Sequence, residues 1–397
     1  MIDNFDHQIC AFNAGQNQWL ATYPKISTIH TRFRTQTIKS PYLCPPWKTS
    51  EILPQRPSAK AYKSRSNNMR TLASIQRVKE LAAIAGADAI EKATVLGWQL
   101  VVKKGEFQVG DLAVYCEIDS LLPDRPEFEF LKARGMRIRT IRLRGEISQG
   151  ICFPLSVLPA GTKIAEGADV TDLLEITKYE PPIPASLAGV MKGGFPSFIP
   201  KTDETRVQVL QELLDKYAGT LCYVTEKLDG SSVTYYLKDG EFGVCSRNLE
   251  LLESAENSLW KVARMLKVEE KLRALGGNHA LQGEIVGEGI QGNLYKLRGQ
   301  TVFFFNVFDI DHYRFYDFAE FEAAMKAMEL TSVPVLDRAY TLVNDIPALV
   351  ALGTGTSTLF KVEREGVVIR PLNEQLDSIG RVSFKAISPE FLLKHDH

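Results

Sequence analysis

Five prolines fall within the twenty residues from Pro181 to Pro200. Proline donates no backbone hydrogen bond and clashes with the preceding turn of a helix, so neither a helix nor a central strand can run through such a stretch. The 397-residue chain is therefore expected to fold as separate units on either side of a linker spanning 176–200. The composition suits packed domains, with 45% hydrophobic and 24% charged residues. No run of 18 apolar residues occurs, so no membrane span is expected. The formal charge of −1 gives no global attraction to nucleic acid, and any such binding has to come from local clusters.

Residues 1–68 differ from the rest. They hold nine Lys/Arg against three Asp/Glu, with prolines at Pro45, Pro46, Pro54 and Pro57. No period of 2 or 3.6 is sustained, which points to a basic, disordered extension. Asp3 and Asp6 argue against a targeting peptide, and Met69 is a natural start for the ordered part. The six cysteines form no C-x-x-C pair, which argues against structural zinc. Cys116, Cys152, Cys222 and Cys245 lie among strand-like residues and read as reduced core thiols, which fits a cytoplasmic protein.

From 69 to 175 the signals are mostly β. WQLVVKKGEFQVGDLAVYCEI alternates apolar and polar residues and is broken by Gly105 and Gly110, the pattern of a small barrel of OB type. Within it, RIRTIRLR places Arg137 and Arg139 on one face of an extended strand. A bulge near Thr140 would bring Arg142 and Arg144 onto the same face. Such a row suits the phosphates of a nucleic-acid backbone; the alternative is a solvated sheet face. Beyond the linker, 201–397 mixes strands with helical stretches and reads as an α+β domain. Val207, Leu210, Leu213, Leu214 and Tyr217 predict a helix over 204–217.

One short segment in this second part stands out. TEKLDGSS at 225–232 sets Lys227 at the end of an apolar strand, two residues before an Asp-Gly turn. A lysine attacks only when neutral, so burial or nearby cations have to lower its pKa from about 10.4. Its attack on a nucleotide α-phosphate would form a phosphoramidate, with metal or cations neutralising the phosphates. Alone, K-x-D-G is a weak signal and fits an ordinary surface turn. Downstream come SRN with Arg247, QGEIVGEG with Glu284, FFFNVFDI with Phe308, EGVVIR with Glu365, and FKAIS with Lys385. Together these offer cations, carboxylates and a ring at strand edges, a pocket for a nucleoside phosphate. The bland alternatives are a structural Arg247–Glu284 ion pair, a core phenylalanine and a solvated lysine.

In this order the segments resemble the signature motifs of the covalent nucleotidyltransferases, the superfamily of ATP-dependent DNA and RNA ligases and mRNA capping enzymes. The resemblance covers most of 200–390. It implies Lys227 as the nucleophile that takes AMP, with Asp229 orienting it or a metal-bound water. Arg247 and Glu284 would contact the ribose, Phe308 would stack on adenine, and Glu226 would also belong to the nucleotide site. Glu365 would hold the divalent metal together with Asp229 and Glu284. Lys385 would contact the α-phosphate, and the lead-in PKTDETRVQ brings Lys201 and Arg206 toward nucleotide or substrate. One departure stands in the last motif, often K-x-K, which here reads Ser383-Phe384-Lys385. The second cationic role is then lost or filled by Arg381 or another residue.

Only twelve residues follow Lys385, too few for the OB domain that DNA ligases and capping enzymes carry there. A β domain precedes the lysine instead, which resembles RNA ligase family 5. That implies an N-terminal OB-type barrel followed by an α+β nucleotidyltransferase domain on antiparallel sheets. It also implies ATP and Mg²⁺ or Mn²⁺ as cofactors and RNA as partner, with a nicked duplex in RNA repair as one substrate, acted on by a monomer. Two rivals remain at this stage: a non-catalytic RNA-binding protein on a ligase scaffold, and a GTP-using capping type. The intact Lys227, Asp229, Arg247 and glutamates argue against the first.

Overall fold

A computed structural model describes residues 70–183, 185, 187–378 and 380–395. The expectation of a disordered 1–68 extension lies outside them.

The first sheet has five antiparallel strands in the order Trp98–Lys103, Ile90–Val95, Ala73–Ala83, Leu112–Cys116 and Ile151–Phe153. It curls toward closure as Gln149 N–H donates to Gln99 O (2.9 Å) and Val101 N–H to the Ser148 hydroxyl (3.0 Å). Inward residues at alternate positions fill the barrel, led by Trp98, Leu100, Ile75 and Tyr115, all fully buried. This is the expected OB-type barrel.

The basic stretch does not form the expected row. Residues 138–140 take no strand. Ile141–Leu143 and Glu146–Ser148 make a separate two-stranded hairpin. Its turn is Arg144-Gly145, both at positive φ (49° and 89°), the geometry that matches strand twist in a two-residue hairpin. The four arginines therefore do not lie along one strand face.

The remainder is α+β and carries two large sheets besides a two-stranded hairpin, Leu376–Asp377 with Gly380–Arg381. A seven-stranded sheet runs Met191–Gly194, Leu249–Leu251, Glu241–Cys245, Ser231–Lys238, His279–Gly287, Gln300–Asp309, Arg314–Phe315. Helices Ser258–Met265, Val268–Leu275 and Phe318–Ala327 bury Leu259, Trp260, Leu272 and Phe321 in one core with its Tyr235, Leu281 and Phe304. A five-stranded sheet runs Thr205–Arg206, Phe384–Ile387, Gly366–Pro371, Leu221–Lys227, Val335–Thr341. Its first pair is parallel and the others antiparallel, a partial exception to the antiparallel expectation. The 204–217 helix is shorter than its pattern suggests: Gln211–Tyr217 is α-helical, after a 3₁₀ turn at Val207–Val209. The proline-rich segment joins edges of both parts. Thr177–Lys178 pairs with Ser120–Leu121, and Met191–Gly194 with Leu249–Leu251.

The crossing between the last two sheets positions the site. The chain leaves the five-stranded sheet at Lys227 and enters the seven-stranded one at Ser231. Gly230 makes this possible: a Cβ there would lie 2.4 Å from Ile285 O and 2.8 Å from Glu284 Cγ. Only glycine lets the two backbones approach so closely.

Candidate active site

Between the two sheets lies a cleft of about 350 Å³, lined by Lys227, Asp229, Arg247, Glu284, Glu365 and Lys385 among others. Residues separated by up to 158 positions thus converge as the motif order implied. Strand register explains this. Lys227 pairs with Gly366, directly after Glu365, and Val368 pairs with both Thr225 and Lys385. Glu284 pairs with Ser232, just past the crossing.

Lys227 Nζ donates to Glu365 Oε2 at 2.8 Å. Burial would lower the pKa of this ammonium, but Glu365, Glu284 and Asp229 outweigh it and raise the pKa. The expected lowering is therefore not supplied by the protein's own groups, among which the lysine serves as counter-ion to the carboxylates. Those carboxylates are correspondingly crowded. Burial and the Glu365 charge raise Asp229 to about 7, and burial with Glu365 and Asp229 raises Glu284 to about 8. Across the cleft, burial together with Arg206, Lys227 and Arg70 lowers Lys385 to about 7.

This donor set suits a hard divalent cation, because carboxylate oxygens in excess over local positive charge are what such ions take. Among the described residues no three metal-binding side chains form a ready-made cage. The fit is thus to a hydrated ion, as Mg²⁺ prefers, rather than to an all-protein shell.

The other expected residues divide. Arg247, in the turn after Glu241–Cys245, lines the cleft and pairs with Asp203, with Glu180 at 3.6 Å. Glu226 lines it too, but its carboxylate accepts from Thr358 N–H (2.9 Å) and hydroxyl (2.7 Å). Lys201 is exposed and donates to Asn248 Oδ1 (2.9 Å), outside the lining. Arg206 also stands outside it: the side chain is 9% exposed and donates to Asp119 Oδ2 (3.2 Å). Arg206 is nonetheless the strand partner of Lys385.

Phe308 is a correction. It is fully buried, edge-on to Phe315 (4.9 Å) and Tyr313 (5.2 Å), away from the cleft. Phe305 is the ring of that strand that lines it. A register slip opposite Gln282–Gly283 leaves Phe305 without a cross-strand partner, and three further residues carry Phe308 about 10 Å along the strand. There Ile199, Tyr313 and Phe315 cover it.

The arginine row is a second correction. Arg137 is buried, donates to Asp119 Oδ1 (3.0 Å) and lies 3.8 Å over the Tyr179 ring. Arg139 is half-buried. Arg142 is exposed and bonds Gly145 O (2.8 Å) and Glu390 (2.6 Å), while Arg144 occupies the hairpin turn. Arg137 is therefore not part of an exposed phosphate-binding face.

Sequence reasoning missed Arg370. It lines the cleft at 2% exposure, its Nε donating to Ser383 Oγ (2.9 Å) and its Nη2 to Glu204 (2.8 Å). The serine that stands in place of the first lysine of the last motif thus holds a guanidinium from the next strand. Arg381 does not fill that place, being bound to Glu374 and Asn306 and outside the lining. The departure at Ser383 was the available signal, but only register could show which cation stands beside it.

A barrel preceding a two-sheet domain whose cleft opens on a lysine among carboxylates defines a ligase-type nucleotidyltransferase. The chain belongs to the RNA ligase family: that family's profile matches residues 221–387, and an OB-fold domain profile matches 72–155. Among solved structures it is similar to Naegleria gruberi RNA ligase. A ligand-free mutant of that protein is 42% identical with a TM-score of 0.78, over 82% of this chain and 98% of the other. A mutant with ATP and Mn is 43% identical (TM-score 0.77), over 82% and 99%. The same ligase with PPi is 43% identical (TM-score 0.78), over 83% and 99%. No curated protein matches the chain in a sequence comparison.

Proposed function

We propose that Lys227 is the nucleophile of an ATP-dependent RNA ligase. The observation that carries this is the Lys227–Glu365 pair (2.8 Å) at a cleft also lined by Glu284, Arg247 and Lys385. Nζ gives its proton to a neighbouring carboxylate, Glu365 being in hydrogen-bond contact, and attacks the α-phosphorus of ATP. The N–P bond forms as the α–β bridging bond breaks, and pyrophosphate leaves. AMP then passes to an RNA 5′-phosphate, and a 3′-OH displaces it to form the phosphodiester. Lys385 faces the phosphate chain, Arg247 and Glu284 the ribose, and Phe305 rather than Phe308 the base. A divalent cation, Mg²⁺ or Mn²⁺, held by Asp229, Glu284 and Glu365 would supply the positive charge that favours neutral lysine and offsets the developing phosphate charge.

That charge logic fits the protein's own groups, since the carboxylates raise the lysine's pKa and so hold it as ammonium. A GTP-using relative would share this chemistry, and competition of ATP against GTP for labelling separates the two. Sealing of a nicked duplex is the finer reading and rests on the resemblance to family 5. The four described thiols are buried and unpaired, which supports a reducing, cytoplasmic setting. Among the described residues no helix is long and apolar enough to cross a membrane.

The test is incubation with α-labelled ATP and Mg²⁺ or Mn²⁺, read on a denaturing gel. Wild type is expected to take label and Lys227→Ala none. Label on the mutant would overturn the assignment.

A further inference from the structure

Residues 288–299 follow the Glu284 strand and form a loop of unusual backbone. Gly289, Gly292 and Gly299 have positive φ, and so do Gln291, Asn293 and Lys296 (43°, 50° and 50°). Non-glycine residues persist there only when their surroundings over-determine them. Here the surroundings do so. The Asn293 side chain accepts from Leu297 N–H (3.1 Å) and donates to Leu297 O (2.9 Å). Glu288 N–H donates to Gly299 O (2.8 Å), and the Gln300 amide to Glu288 O (2.7 Å).

The loop drives Ile290 and Tyr295 inward. Tyr295 is 3% exposed and packs with Leu228, Val286 and Val333. Its hydroxyl accepts the backbone N–H of Asp229 at 2.7 Å. That N–H lies in the middle of the crossing between the sheets, two residues from Lys227. A backbone donor in such a place has to be paired, and no strand ladder reaches it. The crossing is thus held twice from the same loop, by the Leu228 side chain packing on the Tyr295 ring's cluster and by the Asp229 amide bonding its hydroxyl.

We infer that Tyr295 is a positioning residue for the nucleophile: its hydroxyl fixes the Leu228–Gly230 crossing and so aims Lys227 into the cleft. The glycine-rich loop is then part of the lysine's support, not only a connection between strands. This rests on the reading of Lys227 as nucleophile. Nothing in it requires Tyr295 to touch nucleotide or RNA.

Replacing Tyr295 by phenylalanine removes the acceptor and keeps the ring. In single-turnover labelling with α-labelled ATP, Y295F should adenylylate about tenfold or more slowly than wild type. Its half-saturating ATP should stay close to the wild-type value, because the nucleotide contacts are intact. Sealing of a nick made with AMP-capped RNA bypasses the lysine and should be largely retained, showing that the fold and the RNA-binding surfaces survive. Unchanged labelling would overturn the proposal. So would an equal fall in labelling and in sealing of AMP-capped RNA, which would mark the hydroxyl as a support of the whole fold. Wild type that takes no label would instead count against the adenylylation reading itself, and that arm is read first.

Discussion

Phe305 and Phe308 belong to the same strand, yet one lines the nucleotide cleft and the other is sealed under Tyr313 and Phe315. Their substitutions should therefore fail in different ways. On the proposed assignment Phe305→Ala removes a stacking face, a loss of about 1–3 kcal/mol, and should raise the ATP concentration needed for labelling with little change in unfolding. Phe308→Ala empties a core site and should lower stability by about 3–5 kcal/mol, read as an earlier urea midpoint with ATP dependence kept in the folded fraction. The reverse pattern would return the stacking role to Phe308. The pair also shows what was legible at this scale. Lys227, Asp229, Arg247, Glu284, Glu365 and Lys385 were found because each sits at a fixed place in its own motif and all six line the cleft. The cleft-lining ring was missed because its place depends on distance along a strand with a register slip, which four neighbouring aromatics do not reveal.

Among elements, the connection from Leu221–Lys227 to Ser231–Lys238 decides more than either strand. It transfers the chain between sheets within three residues, and Gly230 lies against the backbone of the Glu284 strand. Gly230→Ala would force Ile285 and Glu284 outward, since a Cβ 2.4 Å from a backbone oxygen has no flexible neighbour to yield. Overpacking of this kind costs about 1–3 kcal/mol, and it should also misplace Lys227 against Glu284. Labelling should fall further than the shift in unfolding midpoint explains; a protein with normal labelling and midpoint would show that the strands can part freely. The Asp-Gly pair was readable as a turn, but its function as a crossing between two sheets was not, because no local pattern marks a change of sheet. The basic stretch failed in the opposite way. Alternation was read through Arg137–Arg144 as one strand, whereas Arg144-Gly145 makes a hairpin turn and Arg137 is drawn inward by Asp119 and Tyr179.

At the scale of the molecule, Asp119 joins the barrel to the catalytic sheets. It occupies a left-handed backbone position (φ 71°), held where its N–H donates to Ile138 O (2.9 Å) and its carbonyl accepts from Tyr179 N–H (2.8 Å). One carboxylate oxygen accepts from Arg137 of the barrel (3.0 Å). The other accepts from Arg206 (3.2 Å), the strand partner of Lys385, and lies 3.7 Å from Arg70. Two further links run in parallel: Gly97 N–H to Gln208 O (2.8 Å) and Arg142 to Glu390 (2.6 Å). Burial alone would raise the Asp119 pKa, but Arg206, Arg137 and Arg70 hold it down at about 2, against 3.8 ordinarily. Neighbouring Glu117, paired with Arg70, is shifted the other way by burial. A carboxylate whose pKa is lower in the folded protein than in the unfolded chain stabilises fully above the unfolded value. Its contribution disappears as pH falls through the folded one. For Asp119 that contribution is about 2 kcal/mol, present above about pH 4 and fading toward pH 2. Asp119→Asn also leaves Arg137 and Arg206 buried beside a neutral amide, which should make the mutant less stable at pH 7 by about 3–5 kcal/mol. Urea unfolding of both proteins between pH 7 and pH 2 checks the sign. The gap between wild type and mutant should stay constant down to about pH 4 and narrow below it. A gap that persisted unchanged to pH 2 would mean that Asp119 does not titrate against its arginines over that range.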